Sequence, residues 1–356
     1  INNLSKEKSI ILVDQISIIS NKEIKINDPV LWYLGRFSYS NEFTEQISYE
    51  WIKLIISILK KTIRLIILDL DNTIWGGVLG EDGIDGVSIG GDYPGNAFED
   101  FQKELVKLNS KGIALAISSK NDENLVKKTF ETLKEMPLKI DMFSALSIGW
   151  HSKSSGIKEI ADSLNVGLYS VLFIDDNPAE ISKVKNKYPE IKVLQLSKDP
   201  ANYVDQLKKH AFIKCLSTSK EDYKRIKSLK TLVNIKKLSN DDEELNRYLK
   251  NLKIKVYFKR LDNSNLNRAY QLCQKTNQFN STSIRYTSSD LIKLNSQNQK
   301  VIVIAHSSEE SDSENIGLMI IEEDYKNLVS ELKLYLLSCR VLGRGLEKGC
   351  IKSVSY

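Results

Sequence analysis

The run Leu65-Ile66-Ile67-Leu68-Asp69-Leu70-Asp71-Asn72-Thr73 sets two carboxylates two residues apart at the end of an apolar strand. Side chains alternate along a strand, so Asp69 and Asp71 project to one side for as long as the extended geometry lasts. Such a pair repels itself and loses hydration unless a divalent cation neutralises it. Carboxylate oxygens with spare coordination places suit Mg²⁺ that also holds a phosphate, so phosphoryl chemistry is the first expectation.

Further segments recur in the order this chemistry needs. Ser118-Ser119-Lys120 ends a second apolar strand, Lys153 sits in the following loop, and Asp175-Asp176 end the apolar run Val171–Ile174. In an open parallel sheet, ligands bind beyond the carboxyl ends of the strands, which brings these segments to one crevice. Asp69 would attack phosphorus and form an aspartyl-phosphate, while Asp71 would protonate the leaving oxygen and later deprotonate the attacking water. Ser119 would bond the phosphoryl oxygens and Lys153 would offset charge on nucleophile and phosphate. Asp175 and Asp176 would complete a Mg²⁺ shell begun by Asp69 and Asp71. Each segment alone also reads as a turn or as a helix N-cap followed by proline; together and in order they favour the chemistry.

The elements that position these residues follow from the apolar period. Strands are expected at Leu65–Leu68, Ile113–Ile117, Val171–Ile174 and Ile191–Leu194, with helices at Ala97–Lys111, Asn121–Leu133, Gly156–Leu164 and Ala179–Lys187. That alternation predicts an α/β fold with a doubly wound parallel sheet, covered on both faces, over residues 61–215. Residues 1–60, with a strand-like Ser9–Val13 and a helix pattern from Tyr49 to Leu59, read as a lead-in or domain remnant. A helical link from Ser219 to Leu252 leads into a second α/β domain within residues 216–356. Its signals are strands at Lys253–Lys259, Val301–His306, Gly317–Glu322 and Ser330–Leu337, and a helix at Ser264–Thr276. Ser307–Asn315, polar and acidic, reads as a hairpin loop or mobile insertion.

Bulk properties narrow the class. A chain of 356 residues with 41% apolar content can bury two cores. Its 51 basic and 46 acidic residues are spread along the chain, so the net charge of +5 implies no nucleic-acid partner. Cys215, Cys273, Cys339 and Cys350 show no CxxC spacing, which argues against a structural zinc site and for reduced thiols. No apolar run is long enough to cross a bilayer, and no leader pattern opens the chain, so a cytoplasmic protein without membrane contact is expected. The start at Ile1 and the stop at Tyr356, just after a helix start, are expected to be those of an excised piece, with the second domain truncated at its C-terminus.

The DxDxT run, the later serine, the lysine and the paired acids resemble the haloacid dehalogenase-like phosphatases, here with a small cap, since only a Gly-rich flap from Gly76 to Gly95 and one helix separate Asp71 from Ser119. Asp69 to Gly83, Ile117 to Asn121 and Phe173 to Glu180 further resemble the FkbH-like branch, as do Thr276 to Asn280, Arg285-Tyr286 and Leu337 to Gly345. This resemblance implies a bifunctional enzyme of polyketide biosynthesis. It would dephosphorylate a three-carbon unit from 1,3-bisphosphoglycerate and load it as a glyceryl thioester onto an acyl carrier protein of a polyketide synthase pathway. It also implies substrate contacts by Asn121, Thr276, Asn277, Gln278 and Arg285.

Arg340-Val341-Leu342-Gly343-Arg344-Gly345 follows an apolar strand and opens a helix near Leu346. Glycines there let backbone N–H groups approach a phosphate at a helix N-terminus. The spacing is similar to the R/Q-x-x-G-x-G/A loop of GNAT acyltransferases, which implies a site for carrier-bound phosphopantetheine held by Arg340, Gly343, Arg344 and Gly345. Cys339 is a candidate acyl-carrying thiol if the neighbouring arginines lower its pKa. Two other readings are a stand-alone phosphatase acting on a small phosphometabolite or phosphoprotein, and a non-catalytic docking module of a synthase.

Overall fold

The computed structural model describes residues 24–59, 63–210, 212–213, 231, 242–276, 279–282, 284–296, 299–308, 311–324, 329–338 and 341–354. The chain divides into two compact units, one built from residues 1–161 and 166–219, the other from residues 162–165 and 220–356. Among the described residues no helix is long and apolar enough to cross a membrane.

The first unit opens with α1 (Pro29–Gly35) and α2 (Asn41–Ile58), the latter longer than the helix expected from Tyr49. The strand expected at Ser9–Val13 lies outside the described residues. Then follow β1 (Leu65–Leu68), α3 (Leu79–Gly86), α4 (Gly95–Ser110), β2 (Ala114–Ser119), α5 (Glu123–Thr132), β3 (Phe143–Ile148) and α6 (Lys153–Ser163). β4 (Val171–Asp175), α7 (Pro178–Lys187), β5 (Lys192–Gln195) and α8 (Tyr203–Lys209) complete it.

The five strands are parallel, in the order β3-β2-β1-β4-β5. From β1 the chain steps outward to β2 and β3, then crosses back to lay β4 and β5 on the other side. A switch point therefore lies between β1 and β4, the place where open α/β sheets bind ligands. Every residue of β1, β2 and β4 is buried, as parallel strands covered on both faces require. Each fully buried aliphatic side chain there contributes about 1.5–3 kcal/mol, so core packing, and not the acids, fixes where the strands end. Register then does the positioning. Leu68 pairs with Ile117 on one side and with Ile174 on the other, which brings Asp69, Ser118 and Asp175 to one level.

Near the site, two details differ from the sequence reading. β3, Phe143-Ser144-Ala145-Leu146-Ser147-Ile148, is an edge strand that its two serines hid from the apolar pattern. Lys153 is not in a loop but is the first residue of α6, a rigid mounting that aims it at β1 and β4.

The second unit contains α9 (Asp242–Asn251), β6 (Lys255–Arg260), α10 (Leu266–Lys275), α11 (Ser288–Ser296), β7 (Gln299–Ser308), β8 (Ser311–Asp324), β9 (Val329–Leu337) and α12 (Leu346–Val354). Its strands form an antiparallel sheet in the order β6-β7-β8-β9. Alternation along β8 supplies two cores. Leu318 and Ile320 join Leu272 of α10 and Leu291 of α11, whereas Met319 and Ile321 join Leu346 and Cys350 of α12. The polar stretch Ser307–Asn315 is not a loop over most of its length: β7 and β8 run through it and pair as far as Ser308 with Ser311. Cross-strand pairing overrides its poor strand propensity.

Candidate active site

Beyond the carboxyl ends of β1, β2 and β4 lies a crevice of about 240 Å³. Asp69, Asp71 and Asn72 line it from β1, Ser119 and Lys120 from β2, and Lys153 from α6. Asp176, Asn177 and Glu180 close the β4 side. Asp69 is 6% exposed. Its Oδ2 stands 2.8 Å from Lys153 Nζ, which lies 2.7 Å from Asp175 Oδ2 as well. The Asn177 N–H donates to Asp175 Oδ1 at 2.8 Å. Asn177 also caps α7 by accepting from the Ala179 N–H, with Pro178 next, so the helix-cap reading of this segment holds without using either acid.

One lysine thus serves a crowd of carboxylates. Burial raises the Asp69 carboxyl above its usual range, against the opposing charge and hydrogen bond of Lys153. Burial and the Asp69 charge push Asp175 up to about 7, and the same two causes raise Asp176. Burial works against the Lys153 ammonium, but the two carboxylates outweigh it and hold its pKa above the ordinary lysine value. Asp69, Asp175 and Asp176 each bring an oxygen within 4.8 Å of the others, and among the described residues Asp69 Oδ1 is buried with no hydrogen-bond partner. An orphaned anionic oxygen beside two further carboxylates fits a hard divalent cation.

Asp71, expected as a fourth metal ligand, is engaged elsewhere. After Leu70 the chain leaves the strand: the N–H groups of Thr73 and Ile74 both donate to the Leu70 carbonyl, and Asn72 takes a positive φ of 51°. This turn brings Trp75 Nε1 to 3.0 Å and the Leu79 N–H to 3.1 Å from Asp71 Oδ1, while Asn121 Nδ2 donates to Asp71 Oδ2 at 2.8 Å. Asn121 was expected to touch substrate; it is 3% exposed and orients Asp71 instead. Trp75 was not singled out from the sequence, although its place four residues after Asp71 is the spacing of one helical turn. Tyr203, from α8, donates its hydroxyl to the Asn72 carbonyl at 2.9 Å and packs edge-on against Phe98 and Phe101.

At the rim, Lys120 Nζ donates to Glu180 Oε1 at 3.1 Å, and Lys183 Nζ reaches the same oxygen at 3.0 Å. Burial alone would raise the Glu180 carboxyl, and the hydrogen bonds from Lys183 and Lys120 outweigh it, leaving the pKa below the usual value. His151, near Lys153 in sequence, pairs with Ser147 Oγ at 2.7 Å. Between Asp71 and α4 the chain forms the Asp71–Trp75 and Gly76–Ser88 bridges and α3, a flap too small to make a separate cap.

The second constellation is only partly visible. Asn277, Gln278, Cys339 and Arg340 lie outside the described residues. Thr276 and Arg285, expected to bind substrate, meet each other: Arg285 Nη1 donates to the carbonyls of Thr276 and Cys273, closing the C-terminal end of α10. Gly343 and Gly345 have φ of 77° and 76°, which explains glycine at both places. Arg344 is buried, and the Gly343 N–H donates to Glu347 Oε1, where a phosphate oxygen was expected.

No protein-family model matches the chain, and no curated protein does. Among solved structures it is similar to the N-terminal part of BF1531 from Bacteroides fragilis, which contains a phosphatase domain and is complexed with Mg, at 36% identity and a TM-score of 0.52. That similarity covers 54% of this chain and 51% of the other, so the match spans about half the length of each. The cobalt-bound deoxy-D-mannose-octulosonate 8-phosphate phosphatase YrbI of Haemophilus influenzae is similar at 16% identity and a TM-score of 0.28, over 52% of this chain and 98% of that one. The five-stranded parallel sheet is in keeping with the likeness to the BF1531 phosphatase domain.

Proposed function

We propose that the parallel unit is a Mg²⁺-dependent phosphatase that works through a covalent aspartyl-phosphate. The observation that carries this reading is the convergence of Asp69, Asp175 and Asp176 at the switch point of the sheet, with Lys153 bridging the first two. Its 36%-identical neighbour, a phosphatase domain complexed with Mg, supports it. Bound by Asp69, Asp175 and Asp176, the cation would supply charge neutralisation to the phosphoryl oxygens. Asp69 attacks phosphorus, the bond from phosphorus to the leaving oxygen breaks, and that oxygen takes the Asp71 proton. Water then attacks the aspartyl-phosphate, Asp71 takes the water's proton back, and phosphate departs with Asp69 restored. Ser119 donates to a phosphoryl oxygen, and Lys153 keeps Asp69 aligned.

The substrate in this reading is 1,3-bisphosphoglycerate. Asp69 removes its phosphate ester; the phosphopantetheine thiol of an acyl carrier protein displaces the acyl phosphate, forming the C–S bond of a glyceryl thioester and releasing a second phosphate. The second unit, acting as the transferase domain, would hold the phosphopantetheine arm at Gly343–Gly345 once Glu347 swings off the Gly343 N–H, with Cys339 as the candidate acyl-carrying thiol. The motifs shared with FkbH-like enzymes of polyketide assembly support this extension. The occupied Gly343 N–H and the engaged Arg285 favour the alternative, a stand-alone phosphatase. Incubation with Mg²⁺, 1,3-bisphosphoglycerate and holo carrier protein separates the two by intact mass of the carrier. A glyceryl increment is expected; phosphate release without it leaves the stand-alone phosphatase, and no Mg²⁺-dependent release removes both.

Tyr203→Phe tests how the catalytic turn is held. The ring contacts stay, and the one hydrogen bond to Asn72 goes, at a cost to stability of about 1 kcal/mol. A loose Asp71 should lower kcat by about tenfold while KM changes little, as read by steady-state phosphate release alongside thermal unfolding. An unchanged kcat would show that Trp75, Leu79 and Asn121 fix Asp71 without help.

A further inference from the structure

We infer that Lys120, tethered at the crevice rim by Glu180, reads a second anionic group on the substrate, so that the site selects small phosphoryl compounds carrying a carboxylate or phosphate a short carbon chain away. This rests on the phosphatase reading and assigns a residue and a selectivity to it.

Two lysines line the crevice, and they are differently committed. Lys153 is buried and shared between Asp69 and Asp175, so its charge belongs to the reacting end. The Lys120 side chain, by contrast, is 39% exposed. It and Ser119 line the same crevice. Its anchor, Glu180 Oε1, is also held by Lys183, and two ammonium groups on one carboxylate leave a surplus positive charge at the rim. The neighbouring rim side chains, Asn72 and Asn177, are neutral amides. The acids Asp69, Asp71 and Asp176 lie at the phosphoryl end, where a divalent cation offsets them. A second anion at the far end of a small substrate therefore meets a lysine already oriented by Glu180, which lowers the ordering cost of the contact. Lys120 and the acids line one crevice of about 240 Å³, so a short chain suffices to reach both.

A matched pair of substrates isolates the charge. Glycerol 3-phosphate and 3-phosphoglycerate have the same length and differ at the far carbon, a neutral hydroxymethyl against a carboxylate. With Mg²⁺, the protein should favour 3-phosphoglycerate in kcat/KM by about tenfold, the value of one charge-assisted hydrogen bond. Lys120→Met should erase that preference mainly through KM, and Lys120→Arg should retain most of it. Equal kcat/KM for the two compounds in the unaltered protein overturns the inference, as does an equal loss for both in Lys120→Met, which would mark Lys120 as a brace between β2 and α7. Acetyl phosphate, small and without a second anion, gives the control for the underlying reading. If Mg²⁺ promotes its hydrolysis, equal ratios count against Lys120 alone; if it does not, the phosphatase reading and this inference fall together.

Discussion

Asp69→Asn should lower Mg²⁺-dependent phosphate release by about 10⁴-fold or more, the scale of losing a covalent nucleophile. The carboxamide is close to isosteric but cannot form the aspartyl-phosphate. Stability should move the other way or stay level. Asp69 is buried, and after burial itself its charge is the main reason the Asp175 carboxyl is raised to about 7. Removing one of three crowded carboxylates leaves Lys153 with Asp175 at 2.7 Å and relieves their mutual repulsion. Metal-free Asp69→Asn is therefore expected to melt at or above the unaltered protein near pH 8, a strained site exchanged for a quieter one. Intact-mass detection of a phosphorylated enzyme after rapid quenching provides the chemical check, with the adduct lost in the variant. Release within tenfold of the unaltered protein would mean that Asp69 is not the nucleophile, whatever the fold.

The strands that carry this chemistry were legible because central parallel strands must be apolar on both faces. Leu65–Leu68, Ala114–Ile117 and Val171–Ile174 stand out as short greasy runs, each followed at once by polar residues. β3 was not legible, since Ser144 and Ser147 break its apolar run and nothing local says that a sheet edge will bury them. The partners of Asp71 were hidden for another reason. They depend on the positive φ of Asn72, which folds Trp75 and Leu79 back onto a carboxylate that an extended chain would have aimed beside Asp69. Asn121 and Glu180 come from regions distant in sequence, and only the strand register brings them to Asp71 and Lys120. The acidic stretch before Gly317 misled in the opposite sense, because its strand conformation comes from pairing with β7 and not from its own residues.

The second large effect belongs to Lys153→Met, and its signature is a dependence on pH and metal. The substitution keeps the apolar stem but leaves Asp69 and Asp175 buried without their shared cation. Stranding a buried charge in this way costs about 3–5 kcal/mol. The sign with pH follows from the raised carboxyls. With a folded-state pKa of about 7 against an ordinary value of 3.8, Asp175 binds its proton more tightly in the folded chain. Its contribution to stability is then fullest in acid and is lost as pH rises from about 4 through 7. Lys153 opposes that loss in the unaltered protein, since its charge lowers both carboxyls. Without it, in chelator, the melting temperature should fall far more at pH 8 than at pH 5, where protons take over the role of the lysine. Mg²⁺ should restore much of the difference at pH 8 and little at pH 5, because its ligands must be deprotonated to bind. Phosphate release should stay about 10²–10³-fold low even with Mg²⁺ saturating, the scale of losing one preorganised electrostatic group. Equal destabilisation at both pH values would instead assign Lys153 a packing role and remove charge balance as the reason for its burial.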